Sequence, residues 1–509
     1  MAWGLRSKVI SLLVRDGRLR TLQAAPAASA ANASRDPRAA ILLPGRPSTV
    51  PAMRIAPKSD RIAQRISAAI ENGLLKPETR IASIRAAARD QGLSKNTVAE
   101  AYDRLVAAGL LEARRGAGYF VAQVRARPQA RRQEVVEALN LISLLREQTD
   151  QHYRLRPGEG HPPPSWTEES ELARHLAQAS RRQHRGEAHA YGSSWGYAPL
   201  REQVARMLTE RSIRCAPDRV LLTQGANHAF DLIIRQMVVP GDRVLVDDPG
   251  YYPLFAKLRL AKAEVIGVRR NLDGPDLADL QAKLSQGPVR AFFTQSLAHN
   301  PTGATLSPPV ARGVVDLVAR HGALLVEDDA FADLLPATKP RLASLGGLER
   351  VLYVGTFSKT LSASLRVGFL AGNGPTVQAL NDLKLLTIVS TSQYAERLVA
   401  RLIEEGHYLR HLRRLRKRVE AATTEALRNL ASIGLPLARP PDGGFYLWAE
   451  LPEGTAEAAL CRLAAAQSIF LAPGAVFSPG TAARRPALRL NIAHASDPLF
   501  LSFLRQALA

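Results

Sequence analysis

The chain has 509 residues, with 68 lysines and arginines against 46 aspartates and glutamates, and its formal net charge is +22. With 46% hydrophobic and 22% charged residues it has the composition of a globular protein, and at roughly 150 residues per domain its length predicts about three domains. The two cysteines, Cys215 and Cys461, exclude a disulfide scaffold and a cysteine-based zinc cluster. No apolar run approaches the ~18 residues of a membrane-spanning helix, so we expect a soluble protein.

The positive charge is concentrated at the front of the chain. Residues 1–50 carry +6 and residues 53–134 carry +8, whereas all of the chain from residue 135 onward carries only +8. A dense basic segment favours a polyanionic partner, because neutralising the phosphates of a nucleic acid releases counterions. A solvated basic face accounts for the charge alone equally well.

Residues 1–57 are predicted to lie outside the folded domains. The first 50 residues are rich in arginine and alanine, almost free of acids, and rich in proline, serine and glycine after position 24, which indicates disorder. Two alternatives stay open for this stretch. Its composition fits a mitochondrial transit peptide, or translation begins at Met53 and residues 1–52 are not part of the protein.

Residues 58–122 have the pattern of three helices followed by a hairpin. Apolar residues recur at helical spacing over residues 60–74, and two shorter helices follow, with Ser83 and Ser94 as N-caps and Gly92 and Gly109 as stops. Two strands, residues 110–113 and 119–122, flank a glycine-rich turn. A tight turn between two short helices, followed by such a hairpin, predicts a winged helix-turn-helix.

The stretch resembles the winged helix-turn-helix of GntR-type transcription regulators. The resemblance rests on a Ser-x-Arg that opens the second helix, Ser-Lys-Asn-Thr-Val at the start of the third, and a Gly-x-Gly wing. It implies that double-stranded DNA is the partner, with the third helix in the major groove and the wing at the minor groove. Each basic residue taken alone fits a solvated surface charge equally well. The predicted DNA-binding residues are Ser83, Arg85, Ser94, Lys95, Asn96, Thr97, Arg115 and Gly116.

Residues 123–149 are basic at their start and lack any periodicity, so we predict a linker. From residue 150 to 509 helical stretches alternate with short apolar runs, which predicts an α/β domain with a mainly parallel sheet covered by helices on both faces. The predicted strands are residues 219–222, 243–246, 291–293, 323–326 and 351–354. Sheets of this kind bind ligands at the carboxyl ends of their strands.

A short motif with polar or ionisable side chains follows each of these strands. The motifs are Gln-Gly-Ala-Asn at 224–227, Asp-Pro-Gly-Tyr at 248–251, His-Asn-Pro-Thr-Gly at 299–303, Glu-Asp-Asp at 327–329, and Gly-Thr-Phe-Ser-Lys at 355–359 with Arg366 beyond. Together they resemble the cofactor pocket of fold-type I pyridoxal-phosphate enzymes, the aminotransferase fold, over residues 150–509. The resemblance implies pyridoxal 5'-phosphate as cofactor.

The resemblance also implies a role for each residue around the cofactor ring. Lys359 would condense with the aldehyde, and Asp328 would pair with the pyridine nitrogen, so these two are the predicted catalytic residues. Asn300 would donate to the phenolic oxygen, and Tyr251 would stack on the ring. The family commonly has a tyrosine two or three residues after the aspartate, but here those positions hold Ala330 and Phe331, which puts efficient transamination in doubt.

Further residues are predicted to bind the phosphate and the ligand. Hydroxyls, a guanidinium and a helix N-terminus would hold the phosphate, and a tyrosine from the neighbouring subunit joins them in the family. Arg489 matches the arginine that binds a substrate carboxylate. The phosphate residues are Ala226, Asn227, Thr356, Ser358, Arg366 and Tyr191. No metal site is predicted.

Every one of these positions also fits an ordinary structural role. Asp328 fits a turn, Asn300 fits an Asx turn before proline, Tyr251 fits the core, and Lys359 is one lysine among many. The order of the motifs, each at a strand end, favours the cofactor interpretation.

A GntR-type module joined to an aminotransferase-like domain resembles the MocR family of transcription regulators. This implies a cytoplasmic bacterial homodimer, arranged head-to-tail and nucleoid-associated when bound to DNA, that senses the cofactor or a small amino compound. Two alternatives remain: an active aminotransferase with a 2-oxo acid acceptor and an accessory DNA-binding module, or a catalytically empty dimer scaffold. The operator, the regulated genes and the effector are not specified by these patterns.

Overall fold

The computed structural model describes residues 58–71, 75–76, 78–107, 110–114, 117–122, 144–147, 150–167, 172–181, 191–435, 437, 440–480 and 485–508. The predicted extension, residues 1–57, and most of the predicted linker lie outside the described residues. The chain divides into two compact units, residues 1–129 and 130–509. Each unit is described by itself.

Within its described residues, the N-terminal unit has three helices and a two-stranded hairpin. Ser83 caps the second helix by accepting a hydrogen bond from the Ala86 N–H, and Gly92 ends it in the left-handed conformation that glycine adopts at little cost. Ser94 accepts from the Thr97 N–H at the start of the third helix. The elements are α1 (Lys58–Glu71), α2 (Ile84–Gln91), α3 (Lys95–Ala107), β1 (Leu111–Arg114) and β2 (Gly118–Val121).

A small core holds these elements together. Val98 and Leu105 on α3 are buried against Ile62 of α1 and Leu111 of β1. The Tyr102 hydroxyl donates to the Ala82 carbonyl at 2.9 Å, which fixes α3 to the start of α2. The three helices and the hairpin are therefore as the sequence pattern predicts, and each hairpin strand is displaced by one residue along the chain.

The second unit is built on an eight-stranded sheet in the order β3-β10-β9-β8-β7-β4-β5-β6. Strands β4, β5, β7, β8 and β9 are parallel, and β10 lies antiparallel between β3 and β9. The predicted mainly parallel sheet is confirmed. Its strands are β3 (Val220–Thr223), β4 (Arg243–Asp248), β5 (Glu264–Asn271), β6 (Gly274–Pro275), β7 (Ala291–Gln295), β8 (Leu324–Asp328), β9 (Val351–Thr356) and β10 (Gly368–Ala371).

Helices cover both faces of this sheet. Alternate residues of one strand belong to different buried clusters: Leu325 packs into the cluster on one face, and Val326 into the cluster on the other. The helices of this part of the chain are α4 (Pro164–Thr167), α5 (Leu172–Arg181), α6 (Ala198–Glu210), α7 (Ala226–Met237), α8 (Tyr252–Leu260), α9 (Leu277–Ser285), α10 (Pro308–Arg320), α11 (Leu342–Gly346), α12 (Gly374–Ile388) and α13 (Gln393–Glu404).

A third buried cluster surrounds a small antiparallel sheet near the C-terminus. It is formed by α14 (His407–Ser432), β11 (Tyr446–Glu450), α15 (Glu457–Ala466), β12 (Ala472–Pro473), β13 (Ala487–Asn491) and α16 (Pro498–Leu508). β13 lies between β11 and β12. No helix within the described ranges is long and apolar enough to cross a membrane.

Four parallel strands run further than their apolar patterns predicted. β4 ends at Asp248, β7 at Gln295, β8 at Asp328 and β9 at Thr356. The backbone ladder continues beyond the apolar run; Gln295, for example, pairs with Asp328. The polar residues at these strand ends are therefore held in fixed register at one edge of the sheet.

Candidate cofactor site and nucleic-acid interface

A cavity lies at the carboxyl ends of the parallel strands, and nine of the ten predicted cofactor residues line it. They are Ala226, Asn227, Tyr251, Asn300, Asp328, Thr356, Ser358, Lys359 and Arg366. Tyr191 does not line it and is 84% exposed. The structure also places Arg489 beside this set, since its guanidinium Nη1 donates to the Asn300 side-chain oxygen at 3.2 Å.

The amine of Lys359 is held in a buried, positively charged setting. Its Nζ donates to the Gly160 carbonyl at 2.6 Å. Burial and the nearby Arg489 guanidinium lower the pKa of Lys359 to about 7, although Glu159 and Asp328 oppose this. Near neutral pH a large share of this amine is therefore uncharged, which is the form that attacks an aldehyde.

Asp328 ends β8 across the cavity. Its carboxylate accepts from the Ala330 N–H at 3.2 Å. Burial and the neighbouring Asp329 raise the pKa of Asp328 to about 7. A carboxylate in this setting gains from a cationic partner, and a protonated pyridine nitrogen is such a partner.

Asn300 is oriented by its neighbours. Its N–H donates to the Gln295 side chain at 2.9 Å, and its side-chain oxygen accepts from Arg489, so its amide NH₂ is the group left to donate to a ligand. Arg489 is 2% exposed, and its Nε has no hydrogen-bond partner within the described part of the chain. A buried guanidinium with an unsatisfied donor fits a ligand carboxylate.

The N-terminus of α7 forms an anion cradle with Arg366. Gly225, the residue before α7, has φ +76°, and a Cβ built there would lie 2.8 Å from the Arg366 Nη2. Glycine thus lets the guanidinium approach the helix N-terminus, where backbone N–H groups point outward. Thr356 and Ser358 place two hydroxyls beside it, 3.1 Å apart. This donor set fits the phosphate of pyridoxal phosphate.

Several residues that line the cavity were not predicted. They are His161, Phe230, Gln295 and Tyr446, whereas Ala330 and Phe331 were expected only as departures from the family. The positive charge of Lys359, followed by burial, lowers the pKa of His161 to about 4, so its imidazole is neutral. The Gly-Glu-Gly-His-Pro stretch at 158–162 was a signal for a tight turn but carried no signal for contact with Lys359.

The pH dependence of cofactor capture follows from these shifts. We expect the rate at which apoprotein takes up pyridoxal phosphate to rise with pH and to level off above about 7, because Lys359 is by then largely uncharged. An ordinary exposed lysine would continue to gain reactivity up to ~10. Stopped-flow absorbance measures the rate. Asp328 titrates in the same range, so an Asp328→Asn variant is compared; a profile that keeps rising to the value of free lysine contradicts the assignment.

The predicted DNA-binding residues that the structure describes lie at the starts of two helices. Ser83 and Arg85 are at the start of α2, and Ser94, Lys95, Asn96 and Thr97 are at the start of α3. Arg85, Lys95 and Asn96 are exposed, and within the described residues neither Arg85 nor Lys95 makes a hydrogen bond or ion pair. Ser83 and Ser94 cap the two helices through their hydroxyls, and the Thr97 hydroxyl lies 2.8 Å from that of Ser94. Arg115 and Gly116 of the predicted wing lie outside the described residues.

Each of the two units matches a known protein family. Residues 58–121 match the family of bacterial regulatory proteins of the gntR type, and residues 157–502, two thirds of the chain, match aminotransferase class I and II. A probable rhizopine catabolism regulatory protein, MocR of Rhizobium meliloti, is 30% identical over 71% of this chain and 74% of its own length. The chain belongs to the MocR-type regulators of the gntR family.

Other relatives of this MocR-type chain divide between regulators and enzymes. The HTH-type transcriptional regulator YjiR of Escherichia coli K12 is 28% identical and covers 87% of this chain and 97% of its own. The 2-aminoadipate transaminase of Thermus thermophilus is 32% identical over 62% of this chain and 80% of its own. Among solved structures, the α-aminoadipate aminotransferase LysN from Thermus thermophilus, complexed with N-(5'-phosphopyridoxyl)-L-leucine, is 29% identical. It has a TM-score of 0.65 and covers 73% of this chain and 96% of its own.

Proposed function

We propose that this MocR-type protein is a transcription regulator that binds operator DNA through its N-terminal module and holds pyridoxal 5'-phosphate on Lys359. The observation that carries the proposal is that one chain joins a helix-turn-helix with exposed basic residues to a cavity that holds a buried lysine with a lowered pKa, a carboxylate and an anion cradle. When bound, pyridoxal phosphate supplies an aldehyde that condenses with amines and a protonated ring that withdraws electrons.

The chain's own residues then have separate tasks. Lys359 would provide the amine, and Asp328 would hold a proton on the ring nitrogen. Asn300 would donate to the phenolic oxygen, and Tyr251 would contact the ring. Arg489 binds the carboxylate of an amino compound that enters the cavity. The regulator responds only if that compound has different affinities for two states of the protein.

We further propose a head-to-tail homodimer in which Tyr191 serves the cavity of a second copy. A tyrosine that is 84% exposed leaves a large aromatic surface in contact with water. The chain just after it is anchored, because the buried Lys384 amine donates to the Leu222 carbonyl at 2.8 Å and also to the carbonyl of Ser194, three residues beyond Tyr191. An exposed tyrosine next to an anchored residue suits a contact with a partner subunit.

An aminotransferase is the second candidate function, and the intact set of Lys359, Asp328 and Arg489 favours it. Phe331 weighs against it. Phenylalanine has no hydroxyl to offer where the family commonly has a tyrosine. The Phe331 ring is 1% exposed and packs edge-on against Phe445 and Tyr446, with ring centroids 5.7 and 5.5 Å apart. The phenolic oxygen of the cofactor then depends chiefly on Asn300.

Two measurements on one preparation separate the functions. We expect the holoprotein to bind DNA from upstream of its own gene in a fluorescence-anisotropy titration, and a panel of amino compounds to change that affinity. Amino-group transfer to 2-oxoglutarate is measured in parallel against free cofactor. Transfer at enzymatic rates, with a DNA affinity that no amino compound alters, would identify an enzyme and reject the regulator.

A further inference from the structure

Residues 157–161 form a short segment that accepts hydrogen bonds from both Lys359 and Arg489. The Lys359 amine donates to the Gly160 carbonyl at 2.6 Å, and the Arg489 Nη2 donates to the Gly158 carbonyl at 2.7 Å. Asn491, which is fully buried, donates to the carbonyls of Glu159 and His161. Every residue from 157 to 160 is buried. The Gly160 and Gly158 carbonyls would therefore lose or gain a hydrogen bond if a ligand engaged Lys359 or Arg489.

The segment has little freedom to absorb a change at those carbonyls. The Gly158 N–H donates to the Phe470 carbonyl at 2.8 Å, and the Asn491 N–H donates to the Pro157 carbonyl at 2.7 Å. A Cβ built on Gly158 would lie only 2.6 Å from the Ala472 backbone nitrogen. Packing this tight transmits a shift to its neighbours, because close-packed interiors are bistable rather than continuously deformable.

A buried charged clamp joins the segment to Glu147, near the end of the predicted linker, residues 123–149. The Arg156 Nε donates to the Glu159 carboxylate at 2.9 Å, and its Nη2 donates to the Glu147 carbonyl at 2.7 Å. The guanidinium also forms ion pairs with both carboxylates, and the three side chains are only 12%, 8% and 8% exposed. Glu147 belongs to a helical turn, residues 144–147, within the last part of the predicted linker.

Glu159 is held as a carboxylate in this clamp. Burial alone would raise the pKa of Glu159, but hydrogen bonds from His161 and Arg156 and the positive charge of Arg156 lower it to about 2. Its other carboxylate oxygen accepts from the Gly160 N–H at 2.8 Å. One carboxylate thus contacts both the clamp and the peptide unit beside Lys359.

We propose that the hydrogen bonds from Lys359 and Arg489 to residues 157–161 change when a ligand binds in the cavity. The Glu159–Arg156–Glu147 clamp then transmits the resulting shift of this segment to the linker. This rests on the proposed function, because it requires the cofactor on Lys359. The effector class that alters both contacts at once is a small molecule with an amine and a carboxylate.

An incoming amine would replace Lys359 on the cofactor and so alter the hydrogen bond of Lys359. The nitrogen of an incoming amine forms a double bond to the cofactor carbon, the bond from that carbon to the Lys359 nitrogen breaks, and the two protons of the amine end on Lys359. Nothing is oxidised or reduced. Lys359 leaves as a free amine, for which the Gly160 carbonyl is the acceptor that the structure provides. A carboxylate at Arg489 competes for the donor now given to Gly158.

Alkoxyamines provide probes that displace a lysine from pyridoxal aldehyde. Aminooxyacetate carries a carboxylate, methoxyamine lacks it, and acetate lacks the amine. Hydrogen–deuterium exchange of residues 150–161 is followed in the holoprotein with each probe, while absorbance reports the release of Lys359. We expect the largest change in exchange with aminooxyacetate and a smaller one with methoxyamine. Release of Lys359 with no change in exchange would overturn the inference, whereas absence of cofactor on Lys359 would instead reject the proposed function.

Variants of the clamp test the second step. In the wild-type holoprotein aminooxyacetate is expected to change DNA affinity by about fivefold or more. Arg156→Gln and the milder Glu147→Gln are expected to load cofactor, release Lys359 and keep the probe-free DNA affinity, but to lose that change. Lys283→Gln is the matched control, because it removes a part-buried ion pair with Asp279 in another part of the fold. If wild-type affinity does not respond, or both clamp variants respond like wild type, the clamp does not carry the signal.

Discussion

Lys359→Ala is expected to abolish covalent attachment of pyridoxal phosphate altogether and to remove every response to amino compounds, while the DNA affinity of the ligand-free protein stays unchanged. Lys359 is the lysine that lines the cavity, and its pKa is lowered to about 7, so it supplies an amine that condenses at neutral pH. The measurement is borohydride reduction of the holoprotein, followed by mass spectrometry of its peptides.

The chain contains its own control for this experiment. Lys384 is also a buried lysine with a lowered pKa, about 8, caused mainly by desolvation. Its amine already donates to the carbonyls of Ser194 and Leu222 and to the Thr391 hydroxyl, and it does not line the cavity. Label on the Lys384 peptide, or undiminished label in the Lys359→Ala protein, would refute the assignment of Lys359.

The second large effect is expected at the first turns of α2 and α3, which carry Arg85 and Lys95. Arg85→Ala and Lys95→Ala should each weaken DNA binding by ~1 to 3 kcal/mol for a lost base contact, because a guanidinium or ammonium that reaches a base edge is not replaced by water at equal strength. If Lys95 contacts a phosphate instead, the loss is uniform across sequences and the salt slope falls by about 1. Fluorescence anisotropy at fixed salt concentrations distinguishes the two cases.

Arg104→Ala is the matched control for these variants. Arg104 lies on the same helix as Lys95, α3, is about half exposed, and is already paired with Glu100 at 2.6 Å. Loss of an exposed i,i+4 pair costs little, so DNA affinity should remain near wild type. Equal losses in Arg85→Ala, Lys95→Ala and Arg104→Ala would indicate general charge attraction rather than a recognition helix.

Much of the cofactor site could be predicted from the sequence because its residues follow strands. Asp328, Asn300 and Lys359 each belong to a short motif that follows an apolar run, and parallel strands bring their carboxyl ends to one edge of a sheet. The short motif and the strand are neighbours in the chain, so a local pattern identifies both. The cap residues Ser83, Gly92 and Ser94 were predictable for the same reason, since a helix end is decided within four residues.

Contacts between distant parts of the chain left no such signal. Lys359 and Gly160 are separated by 199 positions and Arg489 and Gly158 by 331, and in both cases the acceptor is a backbone carbonyl, which every residue has. Tyr446 also reaches the cavity, where its hydroxyl donates to the Gly160 carbonyl at 2.9 Å, although its strand pattern marks it only as a core residue.

The sequence by itself determined the family, the two kinds of module, and the candidate residues for an aldehyde, a phosphate and a DNA groove, because those depend on residue type at fixed local spacing. Only the tertiary structure decided that the pKa of Lys359 falls to about 7, that Arg489 keeps an unsatisfied donor, and that residues 157–161 bridge the two. Desolvation and hydrogen bonding depend on what surrounds a group in space, and that environment is assembled from segments hundreds of residues apart.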